Sequence, residues 1–310
     1  MGLATAAKTD AIAGSSRKHE RGYFLRLGLV RLVDYAILIF IGGVSSVPLI
    51  WMTSTSLKET GREFVFPPQI IPDPIVWLNY RDVWSVTHMH QFGLNSILVA
   101  VFATIGTVLT CSLVAFGFAR IDFPAKNVLF FLLISTLMLP GIITLVPTFV
   151  LFRLMGLINN PLALIVPWWF GGGAFGAAFY VFLMRQFMLQ LPRELDEAAL
   201  ADGASYFRIY WNIIIPLSGP ALATSAIFSI LHHWNDFLAP LIFINSERWR
   251  TMALALRFFL EDETSHGAGG GRWNLLMASA VLMLIPILVL FFSLQKYFIR
   301  GIAFTGLAGR

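Results

Sequence analysis

The sequence has few charged residues: Asp, Glu, Lys and Arg make up 13% of its 310 residues. A typical soluble domain has about 25% charged residues and roughly 45–50% apolar ones. Here the hydrophobic share is 57% and the mean hydropathy is +0.74. The composition excludes an ordinary soluble domain and predicts a protein of the lipid bilayer.

Cysteine is almost absent, and one common nucleotide-binding signature is missing. Cys111 is the single cysteine, so the chain can form no internal disulfide. No glycine is followed directly by lysine, which excludes the G-x-x-x-x-G-K-[ST] loop that binds nucleotide phosphates. This chain therefore lacks the ATP-hydrolysing machinery of that type.

The sequence also lacks a recognisable catalytic or metal-binding cluster. His232 and His233 are consecutive, so on a helix their side chains diverge by about 100° and cannot easily share a metal ion. His88 and His90 have no cysteine or carboxylate cluster nearby. No nucleophile is paired with a base at one depth, as a membrane enzyme would require. We expect no catalytic residue, no metal and no cofactor bound by this chain.

Long apolar stretches are what the sequence does contain. A membrane-spanning helix needs about 20 mostly apolar residues. Six stretches meet this length, at about 32–52, 94–118, 128–152, 161–184, 219–244 and 274–299. The expected fold class is therefore all-α, a polytopic membrane protein with six transmembrane helices.

The positive charges predict how the spans are oriented. Lys and Arg near the ends of spans are enriched on the cytoplasmic side. Most of the 22 Lys and Arg residues fall inside if both termini are cytoplasmic, although several others crowd the last outer loop. The net charge of +5 is then explained by topology, and no basic stripe with aromatic residues suggests nucleic-acid binding.

The domain organisation expected from this topology is simple. Residues 1–20 are small and polar, so residues 1–28 are expected to form a cytoplasmic tail and residues 29–310 one transmembrane domain. About 185–218 is a cytoplasmic loop between the fourth and fifth spans. The outer segment at 53–93 is rich in proline, and the one at 245–273 contains an acidic, glycine-rich run.

The cytoplasmic loop begins with the pattern of a short helix. Glu194, Asp196 and Glu197 follow Pro192, and negative charge is favoured in the first turn by the helix dipole. The helix is expected to run to Asp202 and stop at Gly203, which suits the left-handed position after a helix. A second helix should follow and end at Pro216. It has apolar residues at spacings of three and four, namely Phe207, Tyr210, Trp211 and Ile214.

The fifth apolar stretch carries an unusual polar group in "LHHWNDFLAP". Polar side chains at membrane depth are costly and commonly face a bundle interior or a water-filled path. Trp234, Asn235 and Asp236 are therefore candidates for a polar pathway through the membrane. The same residues are also suited to packing the fifth span against its neighbours.

The loop carries a specific spacing: Glu-Ala-Ala, three residues, Gly, nine residues, Ile, one residue, Ile-Pro. These are Glu197, Ala198, Ala199, Gly203, Ile213, Ile215 and Pro216. The spacing resembles the EAA motif of ABC-importer permeases, in which Leu-Pro closes the pattern and Ile215 here replaces Leu. Segments along most of the chain, among them "AFGFAR" at 115–120, "WNDFLAP" at 234–240 and "QKYFIRGI" at 295–302, are similar to the six-span partner subunit of the maltose-type carbohydrate permeases. The C-terminal "GLAGR" departs from that family's frequent ending.

The resemblance implies a type I ABC-importer permease fold in a prokaryotic cytoplasmic (inner) membrane. It implies a transport subunit rather than an enzyme, which forms half of a path for a carbohydrate or a related polyol or glycoside. The partners would be a second permease subunit, two ATPase subunits that bind ATP and Mg²⁺, and an extracytoplasmic solute-binding protein, with lipid around the spans. Contact with the ATPase would be made by Glu197, Ala198, Ala199, Asp202 and Gly203.

An ion-coupled secondary transporter is the alternative. Such a protein would need titratable groups within several spans. Only Asp34 near a membrane end, Asp236 and the adjacent histidines qualify in this sequence. Transport without an ATPase partner would favour this alternative over an ATP-driven importer.

Overall fold

The computed structural model describes residues 30–86, 88–171, 176–265 and 271–306, and the predicted tail at 1–28 lies outside them. Within these ranges every regular element is helical. The first seven α-helices are α1 (Val30–Ser56), α2 (Leu78–Val86), α3 (Met89–Arg120), α4 (Lys126–Ser135), α5 (Gly141–Leu154), α6 (Leu162–Trp169) and α7 (Ala177–Met188). The remaining seven are α8 (Glu194–Ala201), α9 (Tyr206–Ile209), α10 (Ile215–Leu217), α11 (Gly219–Asn235), α12 (Leu238–Phe243), α13 (Met252–Ser265) and α14 (Trp273–Gly306).

Long apolar helices confirm the membrane class, whereas the number of spans is less simple than the sequence pattern indicates. Three helices are long and apolar enough to cross a bilayer: Val30–Ser56, Met89–Arg120 and Trp273–Ser293. Two pairs of helices meet the same criteria only as bent units, so the described residues give three to five candidate spans. Six spans thus remain a prediction.

Proline and glycine account for several of the breaks. The pair Lys126–Met138 and Gly141–Leu154 bends by 99°, and Pro140 lies between the two helices. The predicted fourth stretch is divided into α6 and α7, and Gly171 and Gly176 between them have positive φ angles of 86° and 101°. These backbone conformations favour glycine and end a helix. Hydropathy alone does not reveal such breaks.

Helix α3 lies at the centre of the bundle and packs against α6, α7 and α11. Small residues on α3, among them Ala103, Ala115 and Ala119, are fully buried. A side chain at Gly106 would collide with the Trp169 indole, since an added Cβ would lie 2.5 Å from the Trp169 Cδ1 atom. Small residues let neighbouring helices approach closely, and the loop that is predicted to be cytoplasmic packs against α3.

Helix α1 differs from α3, because its apolar window has none of its residues buried in the chain. Its last turn is the exception, where Ser54, Thr55 and Ser56 are buried. Just beyond this end, the Asn79 side-chain amide donates to the backbone carbonyls of Ser56 and Lys58 at 2.9 and 2.8 Å. Among the described residues, the first helix is therefore attached to the rest of the fold only at its C-terminal end.

Candidate functional site

The cytoplasmic loop predicted from the sequence contains the expected short helix. Helix α8 spans Glu194–Ala201 and has Glu194, Asp196 and Glu197 in its first turn. The prediction placed the helix end at Asp202, one residue later than observed. The sequence thus predicted this element and its charged first turn correctly.

Gly203 closes the helix in the way its position predicts. Its φ is +79°, in the left-handed region. The Gly203 N–H donates to the Leu200 carbonyl at 3.0 Å, and the Ala204 N–H donates to the Ala199 carbonyl at 2.9 Å. These two hydrogen bonds form a Schellman motif, which satisfies carbonyls left free at a helix C-terminus. The turn sets the direction in which the chain leaves α8.

The second helix of the loop starts at a cap and is less regular than predicted. The Ser205 hydroxyl accepts a hydrogen bond from the Arg208 N–H at 3.3 Å, as an N-cap residue does. After α9, the residues Tyr210–Ile214 form a π-helical turn, and the helix continues through Pro216 to Leu217. Pro216 therefore does not end this helix. The bend of 79° between this helix and α11 follows Leu217 instead.

The apolar stripe of the second helix serves two surfaces. Tyr210 and Ile214 are buried, and the Tyr210 hydroxyl lies 2.8 Å from the Ser112 hydroxyl of α3. Phe207 and Trp211 are 67% and 51% exposed, and their rings are stacked with centroids 6.5 Å apart. One face of the second helix therefore packs into the core and holds the loop there, and the other face exposes aromatic side chains.

An ion pair ties the beginning of the loop to the same helix of the bundle. Arg120, the last residue of α3, has an Nη1 atom 3.2 Å from Asp196 Oδ2, and its Nη2 donates to the Leu191 carbonyl at 2.9 Å. The side chains of Arg120 and Asp196 are only 2% and 13% exposed. Burial raises the pKa of the Asp196 carboxyl, while the positive charges of Arg120 and Arg193 act to lower it. No role for this pair was predicted from the sequence.

The predicted coupling residues occupy different positions on α8. Glu197, Ala198 and Asp202 are exposed, and Glu197 has no ion-pair partner within the described part of the chain. Ala199 is half-buried and packs against the cluster that contains Met184, Ile209 and Tyr210. One side of α8 is therefore attached to the bundle, while Glu197 and Ala198 face outward.

The three candidate pathway residues do not converge on one space. Trp234 is buried, and its Nε1–H donates to the Met283 carbonyl of α14 at 3.1 Å. The exposed Asn235 donates to the Leu231 carbonyl of its own helix at 2.8 Å. Asp236 accepts a hydrogen bond from the Ala239 N–H at 3.2 Å. In this structure Trp234 packs two helices together, and Asp236 caps α12.

A helix break, hidden in the apolar pattern, lies beside these residues. Helix α11 ends at Asn235 and α12 begins at Leu238. Asp236, His233 and Trp168 line a cavity of about 10 Å³, which has room for at most one water molecule. The His233 ring packs edge-on against Trp168 at 4.6 Å between centroids. Among the described residues, no group of His, Cys, Asp and Glu has the arrangement of a metal site.

Comparisons with known proteins add independent information. Residues 108–304 match the family model "Binding-protein-dependent transport system inner membrane component". The arabinooligosaccharides transport system permease protein AraQ of Halalkalibacterium halodurans is 31% identical over 282 residues, which cover 89% of this chain and 95% of that protein. The sn-glycerol-3-phosphate transport system permease protein UgpE of Yersinia enterocolitica is 31% identical over 255 residues, covering 80% and 87%.

A solved structure has the same fold. It is the crystal structure of a bacterial ABC transporter involved in the import of the acidic polysaccharide alginate, and the TM-score is 0.74. The match covers 87% of this chain and 96% of that chain, at 21% sequence identity. It supports an all-helical permease fold of the type expected from the sequence, and at this identity it carries no information on solute.

Proposed function

The chain belongs to the family of binding-protein-dependent transport system inner membrane components, and we propose that it is the permease subunit of an ATP-driven carbohydrate importer. Relatives named for arabinooligosaccharide and sn-glycerol-3-phosphate transport support a carbohydrate, polyol or glycoside as the solute. The chain would form half of the translocation path, with a second permease subunit forming the other half.

The observation that carries the coupling role is the attachment of α8 to the bundle. Arg120 holds Asp196 and the Leu191 carbonyl, and Tyr210 is inserted beside Ser112. Because these contacts join both sides of the loop to α3, a push on the exposed face of α8 would move α3. A solvated connector without such contacts would bend under the same force and would not move α3.

The exposed part of α8 suits docking to a separate ATPase subunit. Glu197 is available to pair with a basic group of the partner, and Ala198 leaves space for close approach. Asp202 and Gly203 direct the turn that follows. ATP and Mg²⁺ would bind to two ATPase subunits, and this chain would bind no cofactor itself.

The topology proposed with this function has six spans and both termini in the cytoplasm. Bent or divided helices would supply the spans that are not continuous. An extracytoplasmic solute-binding protein would dock on the outer side. ATP binding would bring the two ATPase subunits together. Helix α8 would transmit this movement to the spans, which would then open the solute path alternately to the two sides of the membrane. Trp234, Asn235 and Asp236 remain proposed pathway residues, with Asp236 acting through the helix break that it caps.

Reconstitution tests the function directly. The chain, its partner permease, the ATPase subunits and the binding protein should be assembled in proteoliposomes, with solutes chosen by their ability to stabilise the binding protein. We expect uptake only with ATP, Mg²⁺ and binding protein together. Uptake driven by a proton or sodium gradient in liposomes without the ATPase subunits would instead support the ion-coupled alternative.

A further inference from the structure

A run of exposed apolar side chains follows the first helix, and the coupling mechanism gives it no role. This apolar segment is residues 64–78, part of the proline-rich outer segment, and the structure describes all of it. Asp73 is its only charged residue. Six of its apolar side chains are at least 62% exposed: Phe64, Phe66, Ile70, Ile71, Trp77 and Leu78. Exposed apolar surfaces of this kind mark a contact with a protein or with a membrane.

The apolar segment is held beside the C-terminal end of α1. The Ser54 hydroxyl, in the last turn of α1, donates to the Ile70 carbonyl at 2.5 Å. The Val76 N–H donates to the Leu57 carbonyl at 2.8 Å. Helix α1 has 27 residues and is therefore about 40 Å long, close to the roughly 40–45 Å of a bilayer with its headgroups. A helix of this length that crosses the bilayer ends in the headgroup layer, so the apolar segment lies at that depth.

A buried polar cluster joins the same end of α1 to α14. The Asn274 side-chain amide, in the first turn of α14, donates to the Lys58 carbonyl at 3.2 Å and to the Asn79 side-chain oxygen at 3.1 Å. The Lys58 ammonium donates to the Glu63 carbonyl at 3.1 Å. These four residues are at most 4% exposed. Because Glu63 directly precedes the apolar segment, the exposed side chains extend from a backbone that the fold holds in place.

The composition of the apolar segment favours lipid over a protein partner. Protein-docking surfaces usually have a polar rim, whereas Gln69 and Asp73 are the only polar side chains of this segment. Irregular backbone is costly near hydrocarbon because its N–H groups lack partners. Four residues of the segment have no backbone N–H group, namely Pro67, Pro68, Pro72 and Pro74. Tryptophan is enriched at membrane interfaces, and the exposed Trp77 lies near the end of the segment.

We propose that residues 64–78 insert their apolar side chains into the headgroup layer and anchor this part of the fold to the lipid surface. The layer is that of the outer leaflet in the proposed topology. This contact requires that α1 crosses the bilayer, and it requires neither a particular solute nor the ATPase subunits. Together with the buried polar cluster, it holds the adjoining ends of α1 and α14 at one depth in the membrane.

Spin labels test this placement in the assembled complex in lipid nanodiscs. Cys111 is the single cysteine of the chain and is buried, so Cys111→Ala, combined with cysteine-free partner subunits, gives a background for one label per complex. Phe66→Cys and Ile71→Cys place the label in the apolar segment, where the native side chains are 90% and 80% exposed. Electron paramagnetic resonance then measures collisions of the label with oxygen, which concentrates in lipid, and with a water-soluble nickel chelate.

Two reference positions set the scale. Phe40→Cys, in the middle of α1 and 71% exposed, gives the value for hydrocarbon. Arg62→Cys, whose native side chain is 60% exposed, gives the value for water in the same outer segment. We expect the ratio of oxygen to nickel collisions at residues 66 and 71 to be severalfold higher than at residue 62 and lower than at residue 40. The ratio does not depend on the side of the membrane, so it tests the lipid contact separately from the topology.

Three results would overturn the proposal. A ratio at residues 66 and 71 equal to that at residue 62 would place the segment in water. Low collision rates with both reagents would show that another subunit covers it. A fall in both rates only after the solute-binding protein is added would assign the surface to that protein. Either labelled position alone decides the outcome, so the test stands even if one of the two variants does not assemble.

Discussion

Replacing Gly203 tests whether the left-handed turn after α8 supports coupling. The φ of +79° costs a residue with a Cβ roughly 1–2 kcal/mol. A Cβ at this position would meet no atom within 4 Å, so a clash within the chain adds nothing to this cost. Alanine should therefore lose about 1–2 kcal/mol, asparagine less because it tolerates this conformation, and the β-branched valine about 2 kcal/mol or more.

Hydrogen exchange can measure the free-energy costs of these substitutions. The amides of Gly203 and Ala204 donate the two hydrogen bonds that close α8, so their exchange reports opening of the turn. A cost of 2 kcal/mol corresponds to roughly 30-fold faster exchange, because about 1.4 kcal/mol is a factor of ten. In the assembled complex, Gly203→Val should also lower the ATP hydrolysis that loaded binding protein stimulates, while Gly203→Asn should largely preserve it.

Gly61 provides a control for positive φ alone. Its φ is +87°, and an added Cβ would likewise meet nothing within 4 Å. Gly61→Val should leave exchange at 203 and 204 and the association with the ATPase subunits unchanged. Unchanged exchange in Gly203→Val would refute the strain argument. If Gly203→Asn were as damaging as Gly203→Val, added bulk at a docked surface would be the cause instead.

Three further predictions concern other parts of the chain. Arg120→Gln should weaken attachment of the loop and speed hydrogen exchange of the α8 amides. The substitution leaves the Asp196 carboxylate and the Leu191 carbonyl without their partner, which costs about 1–3 kcal/mol of stability each. Exchange at the rate of the unmodified protein would contradict this. Asp236→Ala should reduce uptake or assembly, since a lost N-cap costs about 0.5–2 kcal/mol, and normal values of both would remove Asp236 from the pathway. In intact cells, Arg62→Cys should react with an impermeant maleimide and Ser205→Cys should not. The reverse labelling pattern would show that the topology is opposite to the one proposed.

Local features of α8 and of the turn that follows it could be predicted from the sequence. The acidic first turn of α8 and the glycine at its end depend on neighbouring residues only, since helix dipoles and caps act over one turn. The apolar stripe predicted on the second helix is divided, because Tyr210 and Ile214 are buried whereas Phe207 and Trp211 are exposed. Its continuation through Pro216 was not predicted, because the π-helical turn before the proline changes which carbonyl each amide reaches.

Features that depend on contacts between residues far apart in the sequence could not be predicted from the sequence pattern. Arg120 and Asp196 meet only because α3 and the loop are adjacent in the folded bundle. The break between Asn235 and Leu238 lies within a stretch whose average hydropathy predicts one span, so the average does not show where the helix ends.

The isolation of α1 has a consequence for biogenesis. Its residues 30–50 emerge from the ribosome before the helices that follow, and all of them are exposed in the chain. Two hydroxyl groups of α1 need no other helix, because Ser46 and Thr53 donate to carbonyls four residues earlier in α1. A helix whose polar groups are satisfied internally is stable in lipid. The first helix can therefore enter the bilayer and become anchored while the rest of the protein is still being synthesised.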